Sequence, residues 1–326
     1  MNKPSSTSEK SSLFSNYLSI ARFGHWGKNV LMLPGAALAY IVDTQVGLMS
    51  IASLAFGLLS TCFIASANYT INEYLDGKTD YFHPIKALRP AAQGVLDLKL
   101  VLIQYLLFAA LGVMLASFLN PVFMYAVLLL LLMGLVYNVR PVRSKDFAFV
   151  DVLTEAINNP IRLVLGWSAV STILLPPSSL LISYWMGGAY LMAIKRFAEY
   201  RMIRDADVAK AYRKSFKNYT ENSLWLSAFF YALASVFFLG IFLIKYKIEF
   251  IISFPFIALL FVWYNAIALE PEDSVAINPE KLYRRPAFLL YAIFLGLLIL
   301  TLFFIDIPTI HYLMDHSVIN DVRLER

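Results

Sequence analysis

The chain has 326 residues, 59% of them hydrophobic, and a formal net charge of +5. A soluble domain is closer to half apolar; here the excess is gathered in blocks, which excludes an ordinary soluble fold and leaves no room for a separate soluble domain. A lone cysteine, Cys62, sits in an apolar run, so a disulfide framework or a cysteine metal site within one chain is excluded.

The amino terminus, MNKPSSTSEKSS, is polar and has no apolar h-region, so no cleavable signal peptide is predicted. Residues 1–17 are expected to form a disordered cytoplasmic tail. Nine apolar blocks follow, at about 18–42, 46–71, 98–118, 121–138, 147–171, 179–203, 222–244, 248–269 and 286–305. Each is near the roughly 20 residues that a span requires. Arg22, His25 and Lys28 interrupt the first, so its opening turn is expected along the interface. Residues 18–305 therefore read as one all-α integral membrane domain, a bundle of nine transmembrane helices, and 306–326 as a short extracytoplasmic tail. With the amino terminus inside, 22 of the 27 Lys and Arg fall on inside segments, 4 fall outside, and only Arg162 lies within a span. This asymmetry sets the orientation under the positive-inside rule. The predicted protein is multi-pass in the inner (plasma) membrane, with its working face cytoplasmic. Its positive charge is topological, and no nucleic-acid partner is expected.

After the second block comes NEYLDGKTDYFHPIKALRPAAQG, residues 72–94. Asn68, Asn72, Asp76 and Asp80 recur every four residues, so they share a face while the helix lasts. Two carboxylates one turn apart at a helix end suit Mg²⁺, which is held by few carboxylates with waters and substrate phosphates. Asn72, Glu73, Asp76 and Asp80 are the candidate metal ligands. The alternative is an acidic stripe on a solvated helix end. Around this motif stand Arg22, Lys28, Lys86, Arg89, Arg140, Lys195 and Arg196, candidates for binding substrate phosphate. Positive-inside topology alone also puts Lys and Arg at such ends.

The fifth block, FAFVDVLTEAINNPIRLVLGW, places Asp151, Glu155, Asn158 and Arg162 on one helical face. Ionisable groups within a span are costly and mark functional sites by default. Asp151 is a catalytic candidate beside Asp76 and Asp80; Glu155, Asn158 and Arg162 are candidates for positioning substrate. An internal polar network is the competing reading. Pro160 predicts a local break. In the sixth block, KRFAEYR, Lys195 and Glu199 are spaced to pair, and Glu199 is a further positioning candidate.

Together these residues resemble the UbiA superfamily of intramembrane transferases. The resemblance implies nine helices, a cytoplasmic amino terminus and an NDxxDxxxD signature after helix two, read here as NEYLDGKTD with Asn72, Asp76 and Asp80 matching and Glu73 in place of aspartate. Most members carry a second aspartate-rich motif after helix six. This chain has KRFAEYRMIRDAD there, with Asp205 and Asp207 late. The decaprenyl-phosphate phosphoribosyltransferase branch is similar at that ending, through Lys195, Arg196 and Glu199. It is similar at the start too, through Arg22, Trp26, Lys28 and Asn29, and across Asp80, His83, Pro84, Lys86, Arg89, Pro90, Ala92 and Gly94. What this implies is Mg²⁺-dependent transfer of 5-phosphoribose from phosphoribosyl diphosphate to a polyprenyl phosphate. The implied partners are a polyprenyl lipid substrate, a diphosphate-bearing small molecule and membrane lipids. Some members form trimers, so a homo-oligomer stays open. The competing activities are prenyl transfer from a prenyl diphosphate to an aromatic or other small acceptor and, more distantly, transport, which broken helices accommodate.

Overall fold

Long apolar runs in hydrocarbon must satisfy their backbone groups internally, and this selects helices. The computed structural model describes residues 13–43, 47, 49–82, 86–172, 175–203, 205–270 and 284–315, and among them no strand occurs. In chain order the elements are α1 (Leu13–Ile20), a 3-10 segment (Phe23–Met32), α2 (Leu33–Val42), α3 (Met49–Asp80), α4 (Leu98–Ala116) and α5 (Pro121–Asn138). Next come α6 (Val150–Ala156), α7 (Asn158–Val170), α8 (Ser178–Ile203), α9 (Ala206–Tyr212), α10 (Glu221–Tyr246), α11 (Phe254–Leu269), α12 (Pro286–Phe304) and α13 (Pro308–Asp315). Local chemistry sets several starts. Asp97 accepts from the Lys99 and Leu100 N–H groups at the head of α4, and Asn120 accepts from Phe123 N–H ahead of Pro121 in α5.

Among the described residues, six helical stretches are long and apolar enough to cross a membrane: Ser50–Asp80, Leu98–Ala116, Pro121–Asn138, Glu221–Tyr246, Ile248–Leu269 and Pro286–Phe304. The protein is a multi-pass, all-helical membrane protein. The other three expected spans differ in form. The first is divided into α1, the 3-10 segment and α2. The fifth breaks at Ile157 between α6 and α7, as Pro160 foretold: proline has no N–H for the Ala156 carbonyl. The sixth is the 26-residue α8, continuous but more polar. Residues 13–17, expected within a disordered tail, belong to α1, while His83 and Pro84 lie outside the described residues.

The chain divides into two compact units. The first holds the described residues up to Pro176 together with Tyr200–Ser223. Its core joins Met32, Ile64, Phe123, Val127, Leu130 and Leu165, all nearly inaccessible. Helices α2 and α7 touch backbone to backbone, because each offers a glycine. A Cβ on Gly35 would stand 2.2 Å from the Leu163 carbonyl oxygen, and one on Gly166 would stand 1.8 Å from that of Met32. Small residues at such contacts are how membrane helices approach closely. The second unit holds Pro177–Glu199 and the described residues after Leu224. Leu243, Phe250, Ile257, Leu295 and Leu302 form its core. There the Ser183 and Ser235 hydroxyls each donate to the other's carbonyl at 3.0 Å, and the Tyr190 hydroxyl reaches Phe261 O and Asn265 Oδ1.

Candidate active site

Helix α3 runs on to Asp80, past the end expected at residue 71, so the aspartate-rich motif is helical throughout. Asp76, Thr79 and Asp80 on its last turns form one wall of a cleft. Arg143, Lys145 and Asp146, from the turn after α5, form a second wall, and Tyr212, Arg213 and Lys214, at the end of α9, complete it. The cavity volume is about 30 Å³, room for roughly two waters. Ion pairs already bridge its walls.

Those pairs are dense. Asp76 contacts Lys145 Nζ at 2.5 Å and Arg143 Nη2 at 3.2 Å. Asp80 accepts from Arg89 at 2.8 Å. Asp146 lies 3.1 Å from Arg143 Nε and 3.1 Å from Lys214 Nζ. Lys145 is nearly sealed off and also donates to Asn138 Oδ1 at 2.7 Å. Burial pulls its ammonium down to about 8, against the opposing attraction of Asp76. Lys86 bonds the Tyr212 hydroxyl and stands 4.7 Å from the centre of that ring. Around the two α3 carboxylates the cleft is therefore lined with cations.

This donor set admits Mg²⁺ in one way only. Two carboxylates a turn apart on one wall match an ion that takes one or two carboxylates and completes its shell with waters and substrate phosphates. A closed protein cage is absent: among the described residues no three acidic, histidine or cysteine side chains are grouped to hold a metal. Glu73, one of the four expected ligands, is 3% exposed and salt-bridged to Arg22 at 2.6 Å. Neither it nor Asn72 lines the cleft.

Asp151 is fully buried and does not line the cleft. Its carboxylate accepts from the Tyr219 hydroxyl at 2.7 Å and the Ser215 hydroxyl at 3.1 Å, with Arg213 Nη1 at 3.8 Å. Its place is behind the cleft wall, where it positions the segment that carries Arg213 and Lys214. The 3-10 segment lies along a stripe of α3 residues at helical spacing. Arg22 meets Glu73 and the Tyr69 ring, Trp26 donates to Ser66 Oγ at 2.9 Å, and the Asn29 amide donates to Cys62 Sγ at 3.2 Å. Arg162 of α7 closes this network by donating to Asn29 Oδ1 at 3.0 Å and to the Asn158 carbonyl at 3.3 Å.

The UbiA prenyltransferase family model matches residues 30–284. The chain belongs to the UbiA family. A UbiA homolog from Archaeoglobus fulgidus, solved with GPP and Mg²⁺ bound, shares the fold, with a TM-score of 0.66 at 21% identity over 86% of this chain and 99% of that one. A decaprenyl-phosphate phosphoribosyltransferase from Corynebacterium glutamicum is 42% identical over 71 residues, 22% of this chain and 21% of that protein. A protoheme IX farnesyltransferase from Alkalihalophilus pseudofirmus is 25% identical over 191 residues, 57% of this chain and 61% of that protein. The chain spans between 21% and 61% of the length of the curated relatives that it matches.

The remaining residues singled out in the UbiA-like sequence are dispersed. Lys86 and Arg89 adjoin the cleft through Tyr212 and Asp80. Arg140 is exposed, and Lys28 and Glu155 are half-buried. Asn158 Oδ1 is buried with no hydrogen-bond partner among the described residues. In the second unit, Arg196 and Glu199 of α8 pair at 2.9 Å, both buried. The cleft residues not foreseen as site members are Thr79, Arg143, Lys145, Asp146, Tyr212, Arg213 and Lys214. For all but Thr79 the signal was present in the basic turn RPVRSKD and in YRK, but there it reads as ordinary positive-inside charge.

Proposed function

We propose that this UbiA-family chain is an Mg²⁺-dependent membrane transferase that moves 5-phosphoribose from phosphoribosyl diphosphate to a polyprenyl phosphate. The observation that carries this is the cleft's charge: Arg143, Lys145, Arg213 and Lys214 line it with only three carboxylates. Two polyanionic substrates must meet here, and such a cation excess offsets their repulsion. The segment that resembles the Corynebacterium glutamicum phosphoribosyltransferase supports the same choice.

In the transfer, the bond from the anomeric carbon to the diphosphate oxygen breaks and its electron pair leaves with pyrophosphate. An oxygen of the lipid phosphate, already anionic, forms the new bond to that carbon, so no base is required. Lys145 and Arg143, in contact with Asp76, stand ready to neutralise charge on the departing group. Asp76 and Asp80 would hold Mg²⁺, which supplies further charge neutralisation to the diphosphate. Asp151 keeps the Arg213–Lys214 segment in place through Ser215 and Tyr219. The charge asymmetry of the sequence supports nine crossings, a cytoplasmic amino terminus and a cytoplasmic active face in the inner membrane.

Prenyl transfer to a small acceptor is the second reading, favoured by the likeness to the farnesyltransferase over 57% of this chain. One assay separates them. Purified protein is given polyprenyl phosphate, labelled phosphoribosyl diphosphate and Mg²⁺, with and without chelator. Label is expected in the lipid phase only when Mg²⁺ is present. No label there, with label transferred from a prenyl diphosphate to an aromatic acceptor, would replace the first reading by the second.

A further inference from the structure

The four cleft cations are held in two different ways. Arg143 and Lys145 contact Asp76 directly, and Asp146 links Arg143 to Lys214 at 3.1 Å from each. Arg213 and Lys214 are fixed from behind, by a segment built far more firmly than a surface turn requires. Tyr212, Ser215, Phe216 and Tyr219 are all buried. Ser215 and Tyr219 donate to the inaccessible Asp151, and the Tyr219 oxygen also accepts Phe149 N–H at 2.6 Å. The Phe216 ring contacts those of Tyr200, Tyr212 and Tyr219, with centroids 5.5, 6.3 and 6.3 Å away. The two residues left facing the cleft are a guanidinium, 14% exposed, and an ammonium, 48% exposed. A planar fork beside a mobile point charge, on a rigid support, suits a compact phosphate dianion.

We propose that Arg213 and Lys214 form a separate anion subsite of the cleft, which takes the 5-phosphate monoester of the sugar donor while Arg143 and Lys145 face its diphosphate. The inference rests on the phosphoribosyl reading above and sharpens it, because a prenyl diphosphate carries no phosphate apart from its diphosphate to place there.

The test is inhibition of the transfer reaction by two fragments of the donor, ribose 5-phosphate and inorganic pyrophosphate. Both are expected to inhibit the wild-type protein. Lys214→Met and Arg213→Met should each raise the inhibition constant of ribose 5-phosphate about 10-fold, with that of pyrophosphate within about 2-fold, and Arg213→Lys should recover part of the loss. Lys214 stands on the exposed side of the segment, so Lys214→Met decides the matter if Arg213→Met does not fold. Equal rises for both inhibitors would assign the pair to the diphosphate and overturn the subsite, as would unchanged inhibition by ribose 5-phosphate in an enzyme that does transfer phosphoribose. A wild-type protein that transfers prenyl groups alone would remove the function and the subsite together.

Discussion

At the scale of single residues, the cleft is a set of ion pairs waiting to be exchanged. Asp76 and Asp80 are neutralised by Lys145, Arg143 and Arg89, and in the proposed reaction substrate with its metal would take over those contacts. Asp76→Ala or Asp80→Ala should therefore lower transfer by at least ~100-fold, while the protein elutes unchanged from size-exclusion chromatography. Full activity in both variants would end the assignment of the metal site to these carboxylates. The sequence pointed to the two aspartates through their four-residue spacing, and the structure gives both to the cleft. After α5 it pointed to Arg140 for substrate phosphate; Arg140 is exposed and does not line the cleft, and it is Lys145 that contacts Asp76. The turn between them decides this. Arg143 adopts a φ of 29°, which brings Lys145 inward onto Asn138 and Asp76. No periodicity announces a backbone reversal of that kind, so spacing alone could not rank three basic residues within six positions.

At the scale of elements, two kinds of break matter. Proline made the break between α6 and α7 legible. The division of the first block was half legible: its polar opening was visible, whereas the run of 3-10 turns from Phe23 to Met32 follows from docking onto α3. Contact between α2 and α7 depends on the missing side chains of Gly35 and Gly166. Gly166→Ala should cost about 1–3 kcal/mol through overpacking, seen as a lower midpoint of heat-induced aggregation in detergent. Gly296→Ala on α12 is the control, since a Cβ there meets nothing within 4 Å. A midpoint equal for both variants would mean that the two helices part easily.

At the scale of the whole molecule, hydropathy located every long helix, because the bilayer requirement is written into composition, and six stretches meet it outright. The three less regular segments carry much of the polar structure: Arg22 and Asn29, Asp151 and Arg162, Arg196 and Glu199. Buried polar pairs and clean hydropathy conflict within one helix, so the segments hardest to read as spans are those carrying these networks, whereas the cleft carboxylates Asp76 and Asp80 end a span that hydropathy reads cleanly. Orientation is testable on intact cells. With Cys62 buried in its native place, Lys245→Cys should react with a membrane-impermeant thiol reagent and Lys78→Cys should not, both positions being exposed. Labelling at Lys78→Cys in sealed cells would invert the topology.

The docking of the 3-10 segment also constrains how the protein can be made. Arg22, Trp26 and Asn29 emerge first during synthesis, yet their partners on α3 follow some forty residues later, and Arg162 comes last. Glu73 therefore meets a counter-ion that is already made, but the amino-terminal arm must wait beside the nascent bundle until α3 arrives. The family model begins only at residue 30, and a chain trimmed to that boundary would lose all three arm residues. Glu73 would then stay stripped of its partner, at a cost of about 3–5 kcal/mol. A chain trimmed to residue 30 is therefore expected to assemble less well than one that retains Arg22, Trp26 and Asn29.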